Sequence, residues 1–280
     1  MSIQRSVLIT GCSDGSLGAA LAVAFHEAGL HVYATARNPD KMKGLAAKGI
    51  ETLVLDVLSE SSIADCVRKL PSLDILVNNA GQGYSMPIAD ISLATAKQTF
   101  DLNVWAYIAM IQAFLPLLLK SPQGMVVNQT SLTSVISVPF QAVYNASKAA
   151  IASFSDSLRL ELEPFGINVI DLKTGNVKSN MASALALVQP TLPKGSIYEP
   201  ARDVLESVIR QEKFQNVGTP ADQWAKQVTT ELLKKNPPWT IWKGQSACVV
   251  RLSTVLPAGT LDGTLKDLAK LPEISQKLQK

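Results

Sequence analysis

Apolar positions along the 280-residue chain follow two alternating rhythms. Short runs rich in β-branched residues recur as SVLIT (6–10), HVYATA (31–36), ETLVLD (51–56), DILVNNA (74–80), GMVVNQTS (124–131) and INVIDL (167–172), with helix-length segments between them. That alternation predicts parallel strands joined by crossover helices. Several runs are apolar without period-two alternation, the pattern of strands covered on both faces. The expected fold class is α/β, a doubly wound central parallel sheet with helices on both faces.

After residue 180 the rhythm changes. The stretch NMASALALVQPTLPKGSIYEP is weak in strand signals and carries three prolines, and it predicts a flap over about 180–218. TPADQWAKQVTTELLKK then predicts a helix with Thr219 as N-cap and Pro220 at the first helical position, ended by Pro237 and Pro238. A last strand, WTIWKG, and a tail over about 245–280 complete the chain. No repeat or Pro/Gly linker divides it, so one domain over 1–280 is expected. The eighteen uncharged residues Leu102–Leu119 barely reach a bilayer-spanning length. Asn103, Gln112 and Pro116 interrupt them, and strand patterns flank them, so the better reading is a helix held between the sheet and a partner subunit.

Composition narrows the function classes. Net charge is +3 with both signs interspersed, which leaves no basic footprint for nucleic acid. Cys12, Cys66 and Cys248 are odd in number and far apart, and His26 and His31 are the only histidines. Neither a disulfide framework nor a zinc site is expected, and a reducing, cytoplasmic compartment is. The first residues run directly into a strand pattern, so no cleaved signal peptide is expected.

The first strand ends in TGCSDGSLG, where Gly11, Gly15 and Gly18 lead into a helix. Glycines there let backbone N–H groups approach a pyrophosphate at the helix N-terminus. At the end of the second strand an NAD site would place an acid against the ribose hydroxyls. Arg37 stands there instead, a planar donor suited to a 2′-phosphate, the alternative being a solvated surface arginine. Further on, Tyr144 precedes Lys148 by four residues, which puts both on one helix face. Alone, that spacing also fits one turn of an ordinary helix.

Taken in order, TGCSDGSLG, LDV, NNAG, LNVWA, TS before YNASK, and TGNVKSN resemble the short-chain dehydrogenase/reductase family over roughly residues 5–245. Cys12 and TGNVKSN look most like its fungal branch that includes the acyl-dihydroxyacetone-phosphate reductases. The resemblance implies a Rossmann fold and a catalytic tetrad of Asn103, Ser131, Tyr144 and Lys148. It implies a cofactor site of Gly11, Ser13, Gly15, Leu17, Gly18, Arg37, Asp56, Val57, Asn79, Ala80, Gly81, Gly175, Val177 and Ser179, with Tyr144 and Lys148 at the nicotinamide end. NNAG alone could equally be a turn. Two departures stand out: Ser16 and Leu17 add a residue to the usual glycine motif, and Thr174 replaces the usual proline before Gly175.

The implied activity is hydride transfer between NADP(H) and a carbonyl. Ser131 would hold the oxygen, Tyr144 would give the proton, Lys148 would lower the tyrosine pKa, and Asn103 would hold a relay water. The expected substrate is a small, largely apolar ketone, because MASALALVQPTL (181–192) is uncharged where the family places its lid; a helix packed permanently on the core is the alternative. Lys178, Lys194 and Arg202 flank that segment, which keeps acyl-dihydroxyacetone phosphate open as substrate. A redox-neutral or non-catalytic NADP-binding protein is the reading from another class. The apolar central helix implies a homodimer or homotetramer, and the tail after Gly244 could dock on lipid or on a partner subunit.

Overall fold

A computed structural model of the chain describes residues 4–179, 189–214 and 217–279. Seven strands form one parallel sheet: β1 (Ser6–Thr10), β2 (His31–Ala36), β3 (Glu51–Val54), β4 (Ile75–Asn78), β5 (Met125–Gln129), β6 (Asn168–Thr174) and β7 (Thr240–Lys243). Their order is β3-β2-β1-β4-β5-β6-β7, so the chain winds outward from β1 in one direction and, after crossing back to β4, in the other. The switch between β1 and β4 opens a crevice at the carboxyl ends of the strands.

Alternate residues of each strand feed two cores. Val7 and Ile9 face α1 (Leu17–Glu27), α2 (Lys43–Ala46) and the later helix α8 (Ala221–Leu232), where Leu21, Phe25 and Trp224 fill the layer. Leu8, Leu76 and Val126 face α3 (Glu60–Lys69), α5 (Ala106–Leu118) and α6 (Ala142–Leu162). These contacts explain the unbroken apolar runs of the central strands, which have no solvent face.

The uncharged stretch at Leu102–Leu119 lies in a continuous helix from α4 (Leu93–Phe100) through a π-helical turn at Asp101–Trp105 into α5. By length and composition this helix could cross a membrane. In the fold Met110, Ile111 and Phe114 pack on the sheet, while Trp105 and Leu119 face outward.

One expectation needs correction. Pro220, not Thr219, caps α8, because the Thr219 backbone is engaged elsewhere: its N–H donates to the Asn176 carbonyl at 3.1 Å and its carbonyl accepts from Lys178 N–H at 2.9 Å. The tail folds back on its own chain. It forms α9 (Ala247–Ser253), α10 (Asp262–Leu268) and α11 (Leu271–Leu278). Ile274 of α11 joins Leu192 and, from α7 (Arg202–Ile209), Leu205 and Ile209 in a satellite core, and Lys277 pairs with Asp203 at 2.6 Å. The described part of the flap is therefore strapped by the last helix, whereas Val249, Leu252 and Val255 point to solvent.

Candidate active site

The glycine loop is shaped by close approach to the end of β4. Gly11 and Gly15 have φ of +75° and +77°, values that favour glycine. A Cβ on Gly18 would stand 2.6 Å from Asn79 Nδ2 and 2.7 Å from the Gly11 carbonyl oxygen. Asn79 in turn donates to the Thr10 carbonyl at 2.6 Å, and Thr10 Oγ1 accepts from the backbone N–H of both Asn79 and Ala80 at 2.9 Å. NNAG is thus the second wall of the loop rather than a free turn. The additional residue of the glycine motif is absorbed by Ser16, which caps α1 by accepting from Ala19 N–H and donates to the Gly11 carbonyl at 2.9 Å.

A cavity of about 490 Å³ follows this loop across the switch point. Of the expected cofactor residues, Gly11, Ser13, Leu17, Arg37, Asp56, Val57, Asn79, Ala80, Gly81 and Ser179 line it. Gly15, Gly18, Tyr144, Lys148, Gly175 and Val177 do not. Gly15 and Gly18 shape the loop from behind, and Val177 packs on the core beneath α1. Gly175 owes its side-chain-free position to β7: a Cβ there would meet the Gln245 carbonyl oxygen at 2.2 Å. Arg37 is exposed beside Ser13 and makes no side-chain bond among the described residues. Ser16, Gln82, Gly83 and Gln129 also line the cavity and were not singled out by motif.

Two of the tetrad residues, Asn103 and Lys148, stand behind Gly81 in the cavity wall. Lys148 Nζ is 3.7 Å from where a Gly81 Cβ would be, and it donates to the Gln129 carbonyl at 2.8 Å. It lies 5.9 Å from the centre of the Tyr144 ring and 5.4 Å from that of Tyr107. The Ser131 hydroxyl acts on the Tyr144 phenol, favouring its ionised form. Ser131 caps a short 3₁₀ turn (Leu132–Ser134), accepting from Thr133 N–H at 3.2 Å, so its hydroxyl direction is fixed by backbone. Asn103 sits in the π-helical turn and clamps the loop after β4: its Oδ1 accepts from Gln82 N–H, and its Nδ2 donates to the Gln82 carbonyl, each at 2.9 Å. Nδ2 also reaches Ser147 Oγ at 3.0 Å, so this side chain is fully engaged in holding elements together.

Burial dominates the local electrostatics. It holds the Tyr144 phenol above its ordinary value, and the Ser131 hydrogen bond pulls it only part of the way back. The expected lowering of this phenol is thus not what the site produces: burial raises it, and the phenol keeps its proton at neutral pH. The same burial brings Lys148 down to about 8, against the opposing pull of the Asp171 carboxylate. Cys12, inside the glycine loop, is pushed up to about 12 and donates to the Ile9 carbonyl, which makes it an inert packing group. Chemically, the site offers two converging hydroxyls with a proton to give, a buried cation behind them, and a long cavity leading to an exposed guanidinium.

Three basic residues, Lys178, Lys194 and Arg202, flank the flap in the sequence. Arg202 is removed from it by ion pairs to Glu199 and to Glu206, the latter at 2.8 Å. Lys178 and Lys194 are exposed, and Met181–Val188 lie outside the described residues.

Residues 5–188 match the family model for short chain dehydrogenases. A short-chain dehydrogenase/reductase of Pestalotiopsis microspora is 54% identical over 280 residues, covering 100% of this chain and 99% of its own. The NADPH-dependent 1-acyldihydroxyacetone phosphate reductase of Schizosaccharomyces pombe is 37% identical, over 97% and 96% of the two chains. Among solved structures, a short-chain dehydrogenase from Streptomyces avermitilis superposes with a TM-score of 0.75 at 25% identity, over 99% of this chain and 98% of that one. One from Burkholderia cenocepacia, in complex with NADP, gives 0.74 at 22% identity over 95% and 99%. With the family model covering more than half of the chain and full-length relatives well above 30% identity, the chain belongs to the short-chain dehydrogenase/reductase family.

Proposed function

We propose that the protein is an NADP(H)-dependent reductase that converts a largely apolar ketone to an alcohol. The observation that carries this reading is the grouping of Tyr144 and Ser131 with Lys148, whose ammonium is held beside Gly81 and Gln129 in the wall of a cavity that is also bordered by Arg37. The cavity fits the cofactor on this chain's own geometry: the Gly11–Gly18 cradle would be filled by any Cβ, α1 presents its N-terminus, and the guanidinium beside Ser13 suits a 2′-phosphate. Bound NADPH supplies the hydride.

The residues do the rest. Ser131 and Tyr144 donate toward the carbonyl oxygen as negative charge develops on it, and Tyr144 gives up its proton. The raised phenol favours this direction, because the acid is present in its protonated form at neutral pH. Lys148 compensates the phenolate charge, and Gln129 and Gly81 fix where the ammonium stands. Asn103 keeps the Gln82 loop closed over that end of the site.

An apolar substrate is supported by Met86, Phe140 and Tyr198, which pack on the satellite core beneath the described flap. Phe140 and Tyr198 also line a second cavity, of about 590 Å³, together with Thr133 and Ser134 of the Ser131 turn. An acyl-dihydroxyacetone-phosphate substrate draws support from the Schizosaccharomyces pombe relative, with Lys178 and Lys194 left for the phosphate. Self-association through the α5–α6 face and a cytoplasmic location complete the proposal. NADPH consumption screened against long-chain and polycyclic ketones, small polar ketones and acyl-dihydroxyacetone phosphate tests it. Steady turnover with an apolar ketone supports the reading; tight NADPH binding without turnover of any carbonyl would replace it with a non-catalytic or redox-neutral role.

A further inference from the structure

Strand β6 carries two charges inside the protein. Asp171 and Lys173 are two residues apart, so they share one strand face, while Leu172 between them belongs to the core on the other. Both are more than nine-tenths buried and pair at 2.6 Å. Separating an ion pair from water costs several kcal/mol per ion, and well-packed apolar residues are often as stable, so folding alone is a weak reason for keeping one.

The partners of this pair lead to the catalytic centre from two sides. Thr130 Oγ1, immediately before Ser131, donates to Asp171 Oδ1. Lys173 Nζ donates to Ser134 Oγ at 3.0 Å, and Ser134 Oγ donates to the Ser131 carbonyl at 2.7 Å. The turn that aims Ser131 is therefore tied to β6 at both of its flanks. Trp242 of β7 closes the opposite side, its ring centre 5.5 Å from Lys173 Nζ.

Lys148 meets this pair through charge. The groups facing Lys148 are Tyr144 on α6, Tyr107 on α5, the Gln129 carbonyl on β5 and the Gly81 backbone after β4, all formally neutral. The Lys148 ammonium is bound to the Gln129 carbonyl, the next residue, Thr130, is bound to Asp171, and the Asp171 carboxylate acts on the ammonium from there.

We propose that Asp171 and Lys173 are a positioning pair for catalysis: together they hold the Ser131 turn in register with Tyr144, and Asp171 provides the counter-charge that keeps Lys148 protonated. Lys173 limits that counter-charge and prevents Asp171 from standing alone in the interior. The proposal rests on the reductase reading for its catalytic half, whereas its electrostatic half can be read without turnover.

The experiment follows the Lys148 side chain by carbon-13 NMR of protein labelled at lysine Cε, with the resonance assigned through Lys148→Arg. Asp171→Asn should move the Lys148 titration down by about one pH unit, and Lys173→Met should move it up, since the two deletions remove opposite charges. The alkaline limb of the kcat profile should shift with it in each variant. Lys173→Arg, which keeps the cation, should restore the wild-type midpoint. Should either single variant fail to fold, Asp171→Asn/Lys173→Met removes both charges at once; it should bind NADPH as the wild type does, measured by fluorescence, with kcat about tenfold to a hundredfold lower and KM little changed. Unmoved Lys148 midpoints, shifts of the same sign in both single variants, or wild-type kcat in the double variant would overturn the proposal. NADPH-competent wild type that reduces no ketone, with Lys148 midpoints moving as stated, would instead overturn the reductase reading and leave the electrostatic role of the pair standing.

Discussion

Lys148 Nζ donates to the Gln129 carbonyl at 2.8 Å, deep enough that burial lowers its ionisation to about 8. The ammonium form is present below that value and is lost as pH rises through it. If the cation compensates the phenolate during turnover, kcat falls on the alkaline side with an apparent pKa near 8. Stability behaves in the opposite way: a lysine whose folded pKa lies below its unfolded value releases its proton earlier in the folded state, so this group adds stability as pH rises between about 8 and the ordinary lysine value near 10.4. Lys148→Met should be inactive, and its Tm relative to wild type should become less favourable from pH 7 to pH 10. A constant Tm difference across that range would show that Lys148 is not ionised as described.

Tyr144→Phe removes one hydroxyl from the Ser131 pair and nothing from the glycine loop. Loss of a general acid lowers kcat by about 10²- to 10⁴-fold. NADPH affinity, from quenching of tryptophan fluorescence, should stay within a few-fold. Near-native turnover of an accepted ketone by this variant would remove Tyr144 from the role of acid.

Arg37 stands exposed at the cavity wall without a side-chain partner among the described residues. A charge-assisted hydrogen bond to a 2′-phosphate is worth about 1.5–3 kcal/mol, roughly 10- to 150-fold in affinity. Arg37→Ala should therefore lose most of the preference for NADPH over NADH while NADH binding is nearly unchanged. Dissociation constants for both cofactors, in both proteins, decide it; equal preference in the variant and the wild type would assign the 2′-phosphate to other residues.

Gly18→Ala tests the packing of the loop rather than its charge. The added methyl would sit 2.6 Å from Asn79 Nδ2 and 2.7 Å from the Gly11 carbonyl oxygen, and the second of these is backbone that cannot swing away. Overpacking of this kind costs about 1–3 kcal/mol. Thermal unfolding should show the loss, and NADPH binding should weaken as the cradle opens. A variant with wild-type Tm and affinity would mean that the loop and NNAG are farther apart than described.

Much of this architecture is legible before any coordinates, because strands such as SVLIT and GMVVNQTS are covered on both faces and so carry unbroken apolar runs. The nearness of Tyr144 and Lys148 is legible for a different reason: they sit on one helix, where spacing fixes direction. What sequence does not convey is the competition between effects. A lysine four residues on suggests a lowered phenol, and only the depth of the site shows that burial raises it. Gly175 reads as a cofactor contact, yet the carbonyl of Gln245, seventy residues away in the chain, explains it. The Asp171–Lys173 pair did leave a trace, two charges within an otherwise apolar strand, but its partners Thr130 and Ser134 come from another element and are not given by spacing.

The outer face of α5 and α6 bears on assembly. Trp105, 54% exposed, meets Phe154, 39% exposed, edge to face with ring centres 6.0 Å apart. Two aromatic side chains held in mutual contact yet open to solvent present a rigid apolar surface, which is a feature of interfaces more than of free helices. In a two-fold dimer across this face each copy would set its own Trp105 and Phe154 against those of its mate, burying about 800 Å² per partner for an interface of ordinary size. A charge introduced here acts twice, because symmetry brings the same charge from the partner close to it. Trp105→Glu combined with Phe154→Glu should therefore give a monomer at micromolar concentration in sedimentation velocity, where the wild type should give a dimer or tetramer. Since neither residue lines the cavity, the monomeric variant should retain NADPH binding. A wild type that sediments as a monomer, or a double variant that keeps the wild-type assembly, would exclude this face as the interface.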